Sequence, residues 1–157
     1  MGAKNKSIFT IIIGKTILST LHMLKLVKVQ HCISGVQLDL KILIVEDETR
    51  ISNLLRIYLE RESFHVDVVD NGDDGLNSAL TETYDLIILD VLMPGKDGYM
   101  VLEELRMMKE TPAILLSAKC SEEDQKKAFD IGANEFISKP FSPSAVVMKV
   151  KEILSLV

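Results

Sequence analysis

The chain has 157 residues, a formal net charge of −5, 47% apolar and 26% charged residues, and two cysteines, Cys32 and Cys120. A chain of this length buries roughly 68–70% of its unfolded surface, and the balance excludes both a disordered, highly charged chain and a cysteine-dense secreted scaffold. The cysteines offer no CxxC and no Cys/His ligand spacing, which argues against structural zinc and suits a reducing, cytoplasmic compartment.

The charge is divided unevenly. Residues 1–40 carry five lysines against Asp39 alone, a balance of +4, whereas the remainder holds 13 basic and 22 acidic residues, a balance of −9. An acidic body repels nucleic-acid phosphates, so no direct nucleic-acid binding by this chain is expected. Residues 8–27 are the most hydrophobic stretch of the first part, but Lys15, His22 and Lys25 interrupt it short of the ~20 apolar residues a spanning helix needs, so no membrane span is expected. The basic start resembles a signal peptide without a clean small-residue cleavage site. Residues 1–40 therefore read as an extension, poorly ordered or weakly helical, or as an over-long start before a working protein that begins near Gly35 or Val36.

From Lys41 onward, short apolar runs alternate with amphipathic stretches, the order expected when each strand crosses through a helix to a parallel neighbour. Five such units follow. The pattern predicts a strand over 42–45 and a helix over 50–62, with Ile51, Leu54, Leu55 and Tyr58 at i, i+3, i+4 and i+7. A strand over 66–69 leads through Asn71-Gly72, a turn signal, into a helix over 74–81. The third strand, 86–89, has no polar interruption, as a strand covered on both faces should. Asp90 closes it, and Met93-Pro94-Gly95 must be loop, because proline and glycine cannot extend the sheet there. A helix over 98–109 and a strand over 113–116 come next. Ser121, with Glu122, Glu123 and Asp124 behind it, suits a helix N-terminus, and Gly132 a stop. The last unit is a strand over 135–137, a loop through Lys139-Pro140, and a helix from Pro143 to about Leu154.

An open parallel sheet gathers its functional groups at the carboxyl ends of the strands, where the strand order reverses. Here those ends carry Glu46 and Asp47, then Asp90, Ser117 and Lys139. One such residue has a bland explanation as a cap; five on one edge are harder to dismiss. Crowded carboxylates repel unless a cation sits among them. Oxygen ligands suit Mg²⁺, and a carboxylate can act as nucleophile toward phosphorus. Taken alone, Ser117 reads more simply as a strand-end serine, Phe136 as core, Met107-Met108 as helix packing, and Lys96 and Lys119 as solvated loop charges. Cys120 reads as ordinary packing or exposure and His65 as a plain surface position.

Glu46-Asp47-Glu48 after an apolar strand, Asp85-Leu86-Ile87-Ile88-Leu89-Asp90-Val91-Leu92-Met93-Pro94-Gly95, then Leu116-Ser117-Ala118-Lys119 and Ile137-Ser138-Lys139-Pro140-Phe141 together resemble the receiver domain of two-component response regulators. The resemblance runs from about Lys41 to Leu154, and residues 41–157 are assigned to this domain. It implies an α/β, flavodoxin-like (βα)5 doubly wound parallel sheet with strand order 2-1-3-4-5. It also implies that Asp90 is the phosphoacceptor for a sensor histidine kinase. By the same resemblance Mg²⁺ is expected to be held by Asp47, Asp90 and the Leu92 carbonyl, with Glu46 acting through a water. Lys139 is expected to pair with a phosphoryl oxygen, the Lys139-Pro140 peptide to be cis, and Ser117 and Phe136 to form the switch pair. Phe136, lacking a tyrosine's hydroxyl, is expected to sit inward even without phosphate.

Tyr58-Leu59-Glu60-Arg61-Glu62 and Lys139-Pro140-Phe141-Ser142-Pro143 resemble the OmpR/PhoB-like subgroup, whose members usually continue into a DNA-binding domain. The chain is thus expected to be the receiver part of a transcriptional regulator or a stand-alone receiver. In this subgroup the dimer face usually has a basic residue near 125 and an acid near 145. Gln125 and Ala145 stand there instead, while Glu135 and Lys149 survive as a possible pair, so a phosphorylation-dependent homodimer is expected to be weakened. A haloacid-dehalogenase-type phosphohydrolase is disfavoured because Asp47 is followed two places on by Thr49, not by the second aspartate of a DxD pair. A degenerate module that only binds other proteins is disfavoured by the complete set Asp47, Asp90, Ser117 and Lys139.

Overall fold

The computed structural model describes residues 39–156, and the expectations placed on 1–38 lie outside them. Five strands are present: β1 (Lys41–Val45), β2 (His65–Val69), β3 (Leu86–Asp90), β4 (Ala113–Ser117) and β5 (Glu135–Ser138). They alternate with five helices, α1 (Thr49–Arg61), α2 (Gly72–Thr81), α3 (Gly98–Arg106), α4 (Glu122–Asp130) and α5 (Pro143–Ile153). All strand pairs are parallel, in the order β2-β1-β3-β4-β5. The expected α/β, (βα)5 topology is the one found.

The register explains why the middle strands are apolar throughout. Ile42, Leu43, Ile44 and Val45 of β1, Leu86 to Leu89 of β3, and Ala113 to Leu116 of β4 are all inaccessible to solvent. Because strand side chains alternate between faces, Leu43, Val45, Ile87, Leu89, Ala113 and Leu115 form one layer. That layer packs against Leu76 and Ala79 of α2, Val101, Leu102 and Leu105 of α3, and Ala128 of α4. α1 and α5 pack against each other, and Lys151 of α5 pairs with Glu62 just beyond α1.

Local chemistry sets the boundaries. Asn71 does not merely turn the chain. Its side chain accepts from the Asp74 N–H, so it caps α2, and Gly72 is already helical. Ser121 and Asp124 form a reciprocal capping box on α4. Gly132 ends that unit at φ +94°, a conformation that costs glycine nothing. Two expectations fail in detail. α3 stops at Arg106, so Met107 and Met108 lie past its end and are each 75% exposed rather than packed. α1 buries Ser52, Leu55 and Leu59, whereas Leu54 is exposed. The apolar stripe read from the sequence is thus rotated from the face that meets the sheet.

Candidate functional site

The strand order reverses at β1, which has β2 on one side and β3 on the other. The carboxyl ends of β1 and β3 therefore open side by side. Glu46 follows β1 and is 1% exposed, Asp90 ends β3 and is 3% exposed, and Asp47 is exposed at the rim. One ligand atom from each of these carboxylates lies within 4.8 Å of the others. From the β5 end, the Lys139 ammonium reaches 2.8 Å from Glu46 Oε2 and 3.1 Å from Asp90 Oδ1. These four residues with Glu48, Leu92 and Ala118 line an open cleft of roughly 500 Å³.

The electrostatics follow from burial. Desolvation holds the Asp90 carboxyl above its ordinary range, and the hydrogen bond from Lys139 offsets this only partly. Glu46 is raised for the same reason, with Lys139 again opposing and the Asp90 charge adding to the rise. Burial pulls the Lys139 ammonium down, but its hydrogen bonds to Glu46 and Asp90 outweigh that and leave it raised. Three acids thus face one internal cation.

The remaining predicted residues fall close by. The Leu92 N–H donates to Asp90 Oδ1 at 3.3 Å, and its side chain is 44% exposed at the cleft rim. Ser117 is fully buried at the end of β4, next to β3, and its Oγ accepts from the Lys119 N–H at 3.0 Å. The Lys139 N–H donates to the Ser117 carbonyl at 2.8 Å, tying β5 to β4, and the Lys139-Pro140 peptide is cis. Phe136 is half-buried and packs against the core layer. Glu135 and Lys149 do pair, at 3.2 Å, within the chain. Cys120 is exposed, and His65 is exposed and sits 2.6 Å from Asp39.

Lys96 corrects the sequence reading. It is not a solvated loop charge: its ammonium contacts Glu104 at 2.9 Å and Asp73 at 3.6 Å, on two different helices. No local pattern announces partners that far apart along the chain. Gly98, expected only to open a helix, also has a second role, since a Cβ there would lie 2.3 Å from the Asp90 carbonyl oxygen.

Residues 42–151 match the family model of the response regulator receiver domain. The chain belongs to that family. As a receiver it is similar to the transcriptional regulatory protein ResD of Bacillus subtilis, with 47% identity over 116 residues, or 74% of this chain and 48% of ResD. The chain spans about half the length of the curated relatives it matches. Among solved structures, the receiver domain of the Francisella response regulator 1452 superposes with a TM-score of 0.71 at 29% identity, covering 73% of this chain and 96% of that one. TrrA of Thermotoga maritima, solved in complex with Mg²⁺-BeF, superposes with a TM-score of 0.66 at 34% identity, covering 73% and 98%. Both support the receiver fold and its strand order. Among the described residues, no helix is long and apolar enough to cross a membrane.

Proposed function

We propose that this receiver accepts a phosphoryl group from a sensor histidine kinase on Asp90. One observation carries the reading: a buried Asp90 carboxylate sits between two further acids and the Lys139 ammonium at 3.1 Å. An Asp90 oxygen attacks the phosphorus of the donor's phosphohistidine. An O–P bond forms, the P–N bond breaks, and the imidazole nitrogen leaves with the bonding pair and takes up a proton. Lys139 turns from the acids to a phosphoryl oxygen, and the Leu92 N–H, already on Asp90, steadies the acceptor. Ser117 gives up the Lys119 N–H and donates to the phosphoryl group, and Phe136 follows into the space it leaves. The face formed by α4, β5 and α5 changes with them.

The donor set fits Mg²⁺: three carboxylates, no nitrogen or sulfur ligand, and more negative charge than Lys139 neutralises. Asp47, Asp90 and the Leu92 carbonyl would hold the ion, with Glu46 acting through a water. Bound there, Mg²⁺ would offset the charge of the phosphoryl oxygens during transfer. The Mg²⁺-BeF complex of TrrA supports this assignment. Asp90 is modified rather than turned over, so the chain is a switch and catalyses only its own phosphorylation and dephosphorylation. The name of ResD, a transcriptional regulatory protein, supports a transcriptional output. With Gln125 and Ala145 at two dimer-face positions, and Lys149 also paired with Glu152, phosphorylation drives homodimerisation weakly.

The test is intact mass after incubation with acetyl phosphate and Mg²⁺. The parent gains one phosphoryl group and Asp90→Asn gains none. A parent that stays unlabelled, or a label that survives Asp90→Asn, refutes the assignment.

A further inference from the structure

The β3–α3 loop carries Leu92 to the cleft, and its two halves are anchored differently. Val91 and Met93 are buried. From Pro94 to Asp97 no residue is buried. Asp97 caps α3 by accepting from the Met100 N–H at 2.8 Å, and Lys96 reaches both neighbouring helices. Its ammonium lies 2.9 and 3.0 Å from the two carboxylate oxygens of Glu104 on α3, and 3.6 Å from Asp73 Oδ1 in the first turn of α2. Its side chain is only 20% exposed, low for a residue type that is almost never buried unless paired.

The main chain of the same residue is confined as well. A Cβ on Gly72 would lie 2.0 Å from the Lys96 carbonyl oxygen, so only a glycine lets α2 begin this close to the loop. At the far end, the Gly98 N–H donates to the Val91 carbonyl at 3.1 Å. The loop is clamped between α2 and α3, while Leu92 stands at the cleft with its N–H on Asp90. Groups that orient metal ligands from outside the coordination sphere commonly set affinity.

We propose that Lys96 is a positioning residue: by bridging Asp73 and Glu104 it holds the β3–α3 loop so that the Leu92 peptide is presented to the acidic cleft, and thereby sets the cleft's affinity for Mg²⁺. The inference rests on the reading of that cleft given above. Its test is Mg²⁺ binding to the full chain by calorimetry for the parent, Lys96→Met and Lys96→Arg. The metal-free unfolding midpoint is measured on the same samples.

Lys96→Met keeps the aliphatic stem and loses the cation. It binds Mg²⁺ about tenfold more weakly, while Lys96→Arg restores affinity and the metal-free midpoints coincide. Labelling by acetyl phosphate then falls in Lys96→Met at subsaturating Mg²⁺ and recovers at saturation. Unchanged Mg²⁺ affinity in Lys96→Met overturns the proposal. So does a loss that tracks a lower metal-free midpoint and is not restored by Lys96→Arg. A parent that binds no Mg²⁺ overturns the reading of the cleft itself, and this inference with it.

Discussion

Asp90 is costly to the fold before it is useful. Its folded-state pKa is raised by burial, so ionising it costs more in the native chain than in the unfolded one. The stability it contributes is therefore full below the unfolded value, about 3.9, and is lost as pH climbs through the raised folded value. Asparagine has no such loss. In chelator, Asp90→Asn and the parent should differ little at pH 4, and the substitution should be the more stable at pH 7 by about 1 kcal/mol. Denaturant titrations at the two pH values check the sign. Single residues were legible in the sequence where chemistry repeats at strand ends: Glu46, Asp47, Asp90, Ser117 and Lys139 all lie there. Lys96 was not legible, because its meaning depends on Asp73 and Glu104, which only the packing of α2 against α3 brings to it.

Helices differ in how firmly they are held. α3 buries Gly98, Tyr99, Val101, Leu102 and Leu105, whereas α4 buries Ala128 alone. What else ties α4 down is polar: the Tyr99 hydroxyl donates to the Asp124 carbonyl at 3.3 Å, and the Lys127 ammonium lies 4.2 Å from the centre of the Tyr99 ring. Sparse apolar burial marks the low-stability end of a structure. Hydrogen exchange should find the α4 amides opening at least about tenfold more readily than those of α3, and equal protection would contradict this. Every strand and helix was visible in the sequence, α4 by its cap and its stop and not by periodicity, but their faces were less so. In α1 the apolar count favoured Ile51, Leu54, Leu55 and Tyr58, yet a serine, Ser52, took a buried place and Leu54 stayed out. Periodicity reports how many residues can be buried, while crossing geometry selects which are.

At the scale of the whole domain, an ion held by the acids of the cleft would link metal to stability. A ligand that binds only the folded chain stabilises it by RT ln(1 + [L]/Kd), about 2.7 kcal/mol at a hundred times Kd. Mg²⁺ should therefore raise the unfolding midpoint of the parent in a concentration-dependent way and raise that of Asp90→Asn far less. Equal shifts in both would place the ion elsewhere. Fold class and strand order were readable from the alternation of elements and from the family resemblance. The reach of Lys139 back across the sheet to Glu46 needed three dimensions, since 93 positions of chain separate them.

β3 is hydrogen-bonded to β1 on one side and to β4 on the other, with a further strand beyond each. A strand so hemmed in cannot slide or tilt without tearing its ladders. An event at its tip is therefore passed outward through the surrounding loops, while the scaffold beneath stays still.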